Sequence, residues 1–174
     1  MQNKTTLIRN IIASGLLLFA LAAQDNPVAQ AQERSTFLLR LNCVDTGAGN
    51  WASQTEDVAV GKAVYTSRLY MGSGDSKASF TCRLQPNEEE VIFQELRLAF
   101  GMRDNDRGSP DVTVNIYLDG VQARSVTVSP GKAEVISGLD VTSTENVSIE
   151  AVCSSQFQYC DRVYFWDASL TIAP

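Results

Sequence analysis

The chain has 174 residues, a formal net charge of −6 and no histidine. An acidic protein without a Lys/Arg cluster is a poor match for nucleic acid or anionic lipid, whose phosphates are held by grouped cations. The missing histidine excludes Ser-His-Asp and Cys-His nucleophilic catalysis and H-E-x-x-H zinc sites.

Residues 1–31 read as a signal peptide. Lys4 and Arg9 form a positive start, Ile11 to Ala23 is an apolar run, and Ala29-Gln30-Ala31 is a small-x-small cleavage signature. The competing reading, a membrane anchor, needs a run long enough to cross about 30 Å of hydrocarbon, and this one is short. Cys43 is the first cysteine after the run, which speaks against a lipid anchor. Residues 32–35 are expected to be a flexible start, and 36–174 a single domain. Cleavage would remove Lys4, Arg9 and Asp25 and leave the remainder more acidic still.

The rest of the chain shows no amphipathic helix, no low-complexity segment and no repeat. It alternates with period two, the pattern of strands with one buried face. Phe37, Leu39, Leu41 and Cys43 predict a first strand, followed by a loop over Gly47 to Asn50. Ala63, Tyr65, Leu69 and Met71 predict a second strand that ends at the turn cluster Gly72-Ser73-Gly74-Asp75. Ala78, Phe80, Cys82 and Leu84 share the inner face of a third, before a charged loop containing Pro86, Asn87 and Glu88 to Glu90.

Ile92, Leu96, Leu98 and Phe100 point inward in the next strand, with Gln94 out of pattern. Val112, Val114, Ile116 and Leu118 follow, then Asp119-Gly120, a pair suited to a type I′ turn in which both residues need positive φ. Beyond it Val121 and Ala123 give way to Val126 and Val128 on the other parity, which predicts a bulge near Arg124-Ser125. Pro130-Gly131 marks a turn, Val135-Ile136 and Leu139-Val141 are short strands, and Val147, Ile149, Ala151 and Cys153 form another. In the last strand, from about Arg162 to Ile172, Tyr164, Trp166, Ala168 and Leu170 share the expected core face. Many short strands between turns predict an all-β antiparallel sandwich.

Cys43, Cys82, Cys153 and Cys160 are even in number and lie beyond the export signal, so they read as disulfides. Zinc would want closely spaced cysteine pairs or histidine. Of the three possible connectivities, the short Cys153-to-Cys160 loop favours that pair and hence Cys43 with Cys82.

Sugar recognition needs an aromatic face and planar hydrogen-bonding groups on loops held by a rigid scaffold. Two places qualify: Trp51, within Asn50-Trp51-Ala52-Ser53-Gln54, and the insert Gln156-Phe157-Gln158-Tyr159 with Arg162 just after it. Trp51 could instead cover one end of the core, and the insert could be an ordinary stapled hairpin. Trp166 is expected to be structural. Asp104-Asn105-Asp106 could shape a turn, hold a structural calcium or touch a ligand. Glu88 to Glu90 form the obvious carboxylate cluster for glycoside hydrolysis, but adjacent charges in a turn are ordinarily solvated. No cofactor motif is present.

One stretch points to a family. A strand ends in Phe100-Gly101-Met102 and enters the acidic loop Arg103-Asp104-Asn105-Asp106-Arg107-Gly108. Val112 to Leu118 then runs into Asp119-Gly120, and Tyr164-Phe165-Trp166-Asp167-Ala168-Ser169-Leu170 closes the stretch. This order resembles the NPCBM family of carbohydrate-binding modules. The resemblance implies a galactose-binding-like jelly roll, no catalytic activity, and recognition of cell-wall or extracellular polysaccharide. It places acidic residues in the loop where Asp104 and Asp106 stand. The alternatives are a periplasmic or surface domain that binds another protein, and a glycosidase with unrecognised carboxylates.

Overall fold

A computed structural model describes residues 34–85 and 92–172, and the alternating apolar residues there build two packed antiparallel sheets. The expected signal peptide and the Glu88 to Glu90 cluster lie outside the described residues. The strands are β1 (Ser35–Phe37), β2 (Cys43–Asp45), β3 (Asn50–Ala52), β4 (Glu56–Val60), β5 (Ala63–Ser67), β6 (Leu69–Gly72), β7 (Lys77–Arg83) and β8 (Phe93–Gly101). They continue with β9 (Val112–Leu118), β10 (Val121–Val128), β11 (Ala133–Asp140), β12 (Asn146–Cys153) and β13 (Val163–Ile172). One sheet has the order β11-β8-β13-β6-β3, with β1 also paired to β13; the other is β10-β9-β12-β7-β2. No helix among the described residues is long and apolar enough to cross a membrane.

Between the sheets lies the main core. Phe80, Val114, Ile116, Val147 and Ile149 of the second sheet face Leu69, Leu96, Leu98, Phe100, Phe165 and Leu170 of the first. These side chains are fully buried, and each contributes about 1.5–3 kcal/mol relative to exposure. The fold is therefore the all-β antiparallel sandwich that alternation predicts.

Bulges explain where the expected faces fail. Between β8 and β13 the register gains one residue on β8, since Leu170 pairs with Leu96 but Ile172 with Phe93. The extra residue reverses the alternation, so Phe93 is buried and Ile92 is 51% exposed, opposite to the expected inward Ile92. Gln94 breaks the pattern because it lies at this bulge. On β13, Phe165 pairs with Phe100 but Asp167 with Ala99, so Trp166 is the added residue. It leaves the expected core face and joins Tyr164 on the outside of the sheet, while Phe165, Ala168 and Leu170 face inward. The β9–β10 bulge falls between Gln122 and Arg124, one step earlier than expected. Val135-Ile136 and Leu139 belong to one bulged strand, β11, and not to two.

Two long strands are also divided. Phe37 to Cys43 is not one strand. It breaks at a 3₁₀ turn, Leu38–Arg40, which carries the chain from β1 in one sheet to β2 in the other and buries Leu38 completely. Ala63 to Met71 breaks at Arg68, with β5 leaving the sandwich to pair with β4.

The β4–β5 hairpin carries none of the expected signals. Its turn residues Gly61 and Lys62 both have positive φ, 60° and 68°. It packs Val58, Val60 and Tyr65 over Tyr70, Tyr164 and Trp166, with the Tyr65 and Trp166 rings stacked at 4.0 Å. Asp119 and Gly120 have φ of 48° and 81°, as the I′ turn requires.

Both disulfides form as favoured. Cys43–Cys82 joins the directly paired β2 and β7, and Cys153–Cys160 closes the loop between β12 and β13.

Candidate functional site at one end of the sandwich

Antiparallel pairing brings the β2–β3, β6–β7, β8–β9, β10–β11 and β12–β13 connections to one end of the sandwich. Three of them enclose an open depression of about 340 Å³, lined by Gly49, Asn50, Gly72, Ser73, Asp75 and Tyr159 among others. Its base is tied by main-chain hydrogen bonds. Cys160 N donates to Gly74 O at 2.7 Å, Cys153 N to Ser76 O at 2.9 Å and Gly49 N to Lys77 O at 2.7 Å.

Two glycines set the shape. A Cβ on Gly72 would stand 2.5 Å from Asn50 Oδ1, so the carboxamide lies directly over that backbone. Gly74 has φ of +62°, and the Tyr159 ring lies across it, 3.3 Å from where a Cβ would be. Tyr159 is 70% exposed, which leaves much of its ring available above the depression. Ser73 is 2% exposed, and its Oγ has no hydrogen-bond partner among the described residues.

The sequence-predicted residues separate here. Tyr159 lines the depression, whereas Gln156 is exposed on the stapled loop and does not. Phe157 projects with 96% of its surface exposed. Arg162 sits behind Gly72, its guanidinium 4.0 Å from the centre of the Tyr70 ring, a cation–π stack that holds it flat on the sheet. Trp51 is not on a loop. It lies on β3, paired with Met71, and its ring packs 4.7 Å from Phe80 at the edge of the core. Its Nε1 is buried without a partner among the described residues.

Asn50, Ser73 and Asp75 are the lining residues that sequence reasoning did not single out. Gly72-Ser73-Gly74-Asp75 announced only a turn; the neighbours that make it a site are supplied by segments far away in sequence.

The acidic loop does other work. Asp104 accepts hydrogen bonds from Gly61 N at 2.7 Å and Lys62 N at 2.9 Å, anchoring the β4–β5 turn. Asp106 is 5% exposed and pairs with Arg103 at 3.0 Å. That hydrogen bond raises the Arg103 pKa, while burial pushes the nearby Tyr164 phenol up. Both carboxylates are thus engaged, and the described residues hold no group of three Asp, Glu, Cys or His fit for a metal. The calcium reading finds no donor set here.

Glu150 is the centre of a polar group on the outer face of the second sheet. Lys77 donates to it at 2.8 Å, Tyr117 at 3.2 Å and Asn115 at 3.4 Å. Burial pushes its carboxyl up, but the hydrogen bonds from Lys77 and Asn115 and the Lys77 charge outweigh this and leave it below the usual value.

No protein-family profile matches the chain, and no curated protein matches it. Solved structures do. The CBM51-2 and INT domains of Clostridium perfringens ZmpB match with TM-score 0.61 and 16% identity, over 80% of this chain and 32% of that one. CBM51 from Clostridium perfringens GH95, in complex with methyl-galactose, matches with TM-score 0.61 and 12% identity, over 79% of this chain and 100% of that one. Tandem CBM51 modules of a family 98 glycoside hydrolase from Streptococcus pneumoniae match with TM-score 0.60 and 9% identity, over 80% and 47%. The chain thus spans about a third of the ZmpB chain it matches. At these identities the likeness is one of fold.

Proposed function

We infer that the protein is an exported, non-catalytic carbohydrate-binding module of the NPCBM type that holds a sugar in the depression at the loop end of its sandwich. The observation that carries this reading is the open, ligand-sized depression overhung by the exposed Tyr159 ring. A pyranose has an apolar face for the ring and hydroxyls that can pair with the Asn50 carboxamide and the Asp75 carboxylate. The stapled loop holds Tyr159 in place before a ligand arrives, which reduces the ordering cost of binding. Trp51, Gln156 and Arg162 act less directly: Trp51 and Arg162 as supports beneath the site, Gln156 as a reach for a longer chain.

The CBM51 fold, and the methyl-galactose complex of one such module, support a galactose-like ligand within a cell-wall or extracellular polysaccharide. The two disulfides agree with export and a secreted or periplasmic location. The test is a glycan array with the wild type, Tyr159→Ala and Asn50→Ala. Saturable binding lost in both folded variants supports the reading, and reducing-sugar release from any bound glycan would overturn its non-catalytic part. The second reading, a protein partner, draws on the 96% exposed Phe157. It predicts no glycan binding and a specific protein retained in pull-downs through Phe157.

A further inference from the structure

The outer face of the first sheet is divided. The β4–β5 hairpin covers one half, over Tyr70, Tyr164 and Trp166. The other half carries a depression of about 410 Å³ lined by Ser35, Thr36, Phe37, Arg40, Arg68, Asp167 and Ser169. Arg40 ends the 3₁₀ turn after β1, Arg68 stands at the break between β5 and β6, and Arg97 on β8 pairs with the lining residue Asp167.

Charge is what makes this place unusual. On a chain of net −6, two lining guanidinium groups meet one lining carboxylate. That carboxylate, Asp167, is already paired with Arg97 Nε at 3.1 Å. Among the described residues neither Arg40 nor Arg68 has a carboxylate within ion-pair distance. Glu95, two residues from Arg97 on β8, is exposed and pairs with none of the three.

Arg68 is also held in position. Its guanidinium carbon lies 4.0 Å from the centre of the Phe37 ring, and its backbone N–H donates to Phe165 O at 2.9 Å. Stacking fixes the plane of the donor fork and leaves its edge free, the geometry that suits a two-oxygen anion. The Ser35, Thr36 and Ser169 hydroxyls around it can serve the neutral hydroxyls of a sugar.

We propose that this depression is a second binding site, for the anionic substituent of a glycan: a uronate carboxylate or a sulfate ester, gripped by Arg68 and Arg40. The bound anion sits against the Phe37-stacked fork, and Asp167, its charge held by Arg97, lines the same depression. The site is separate from the loop-end depression; that its anion is carried by a glycan rests on the sugar-binding reading, whereas the binding of an anion there does not.

The experiment is calorimetric titration of the wild type, Arg68→Gln, Arg40→Gln and Tyr159→Ala with trigalacturonate, its methyl-esterified form and galactose 6-sulfate. The expected result is saturable binding of trigalacturonate or galactose 6-sulfate, weakening as salt is raised. Arg68→Gln and Arg40→Gln should each reduce affinity at least tenfold, and Tyr159→Ala should not change it. Methyl esterification should abolish binding where the carboxylate is the group held. Because Arg68 also caps Phe37, Arg40→Gln, which alters an exposed side chain, serves as the variant that leaves packing intact. Absence of binding by both charged probes up to about 10 mM would overturn the proposal. So would equal affinity for the esterified form, or affinity unchanged in Arg40→Gln.

Discussion

Removing the two disulfides separately should produce unequal losses. Cys43 and Cys82 are 39 residues apart, and Cys153 and Cys160 are 7 apart. If the bonds act mainly by restricting the unfolded chain, the loop-closure relation gives about 3.9 kcal/mol for the first and about 2.4 kcal/mol for the second. The absolute values also contain packing. Each pair has one fully buried sulfur, on Cys82 and Cys160, and one partly exposed, so that contribution largely cancels in the comparison. The difference, about 1.5 kcal/mol, is the sharper figure. It is measured by urea unfolding of Cys43→Ala/Cys82→Ala and Cys153→Ala/Cys160→Ala beside the wild type. Equal losses, or a larger loss from the short loop, would refute the entropic reasoning. The short-loop variant should keep much of its fold, because the Cys160–Gly74 and Cys153–Ser76 main-chain bonds do not need sulfur.

Asp104→Ala should detach the β4–β5 turn and lower stability by about 1–2 kcal/mol, since two hydrogen bonds to a partly exposed carboxylate are lost. Fluorescence of Trp166, which stacks on Tyr65 of that hairpin, reports the detachment. Trp51→Ala should cost about 2–3 kcal/mol through lost packing on Phe80, while Trp51→Phe, which also removes an unpartnered N–H, should cost far less in thermal melts. Glu150 has a lowered pKa, so its stabilising effect is present above the unfolded carboxylate value and lost as pH falls through the folded one. The stability gap between wild type and Glu150→Gln should therefore be open at neutral pH and close on acidification, which denaturant titrations across pH would show.

How far the sequence could be read depended on what each feature needs. Ala78 to Leu84, Val112 to Leu118 and Val147 to Cys153 kept their predicted inner faces because β12 pairs with β7 and with β9 in unbroken register. Asp119-Gly120 was recognisable because the turn is local and its φ requirement selects few residues. The faces of Ile92 and Trp166 were misread because a bulge is set by the partner strand, which a single strand's alternation does not contain. The β4–β5 hairpin escaped notice for another reason: Gly61-Lys62 lacks the usual Asn-Gly or Asp-Gly signal, and its turn is held by Asp104 from a distant loop.

The site shows the same division. Tyr159 could be suspected because the cysteines frame it, and it lines the depression. Trp51 was conspicuous by type, yet β3 pairing turns its ring toward Phe80. Asn50 joins Ser73 and Asp75 of the β6–β7 turn only when β3 pairs with β6.

The most direct test of the account is an amide NMR titration of the protein with methyl galactoside and a panel of neutral sugars. The account predicts saturable shifts concentrated in residues 49–50, 72–76 and 159, absent in folded Tyr159→Ala. Shifts centred elsewhere on the sandwich, or no saturable shift with any sugar up to about 10 mM, would contradict it.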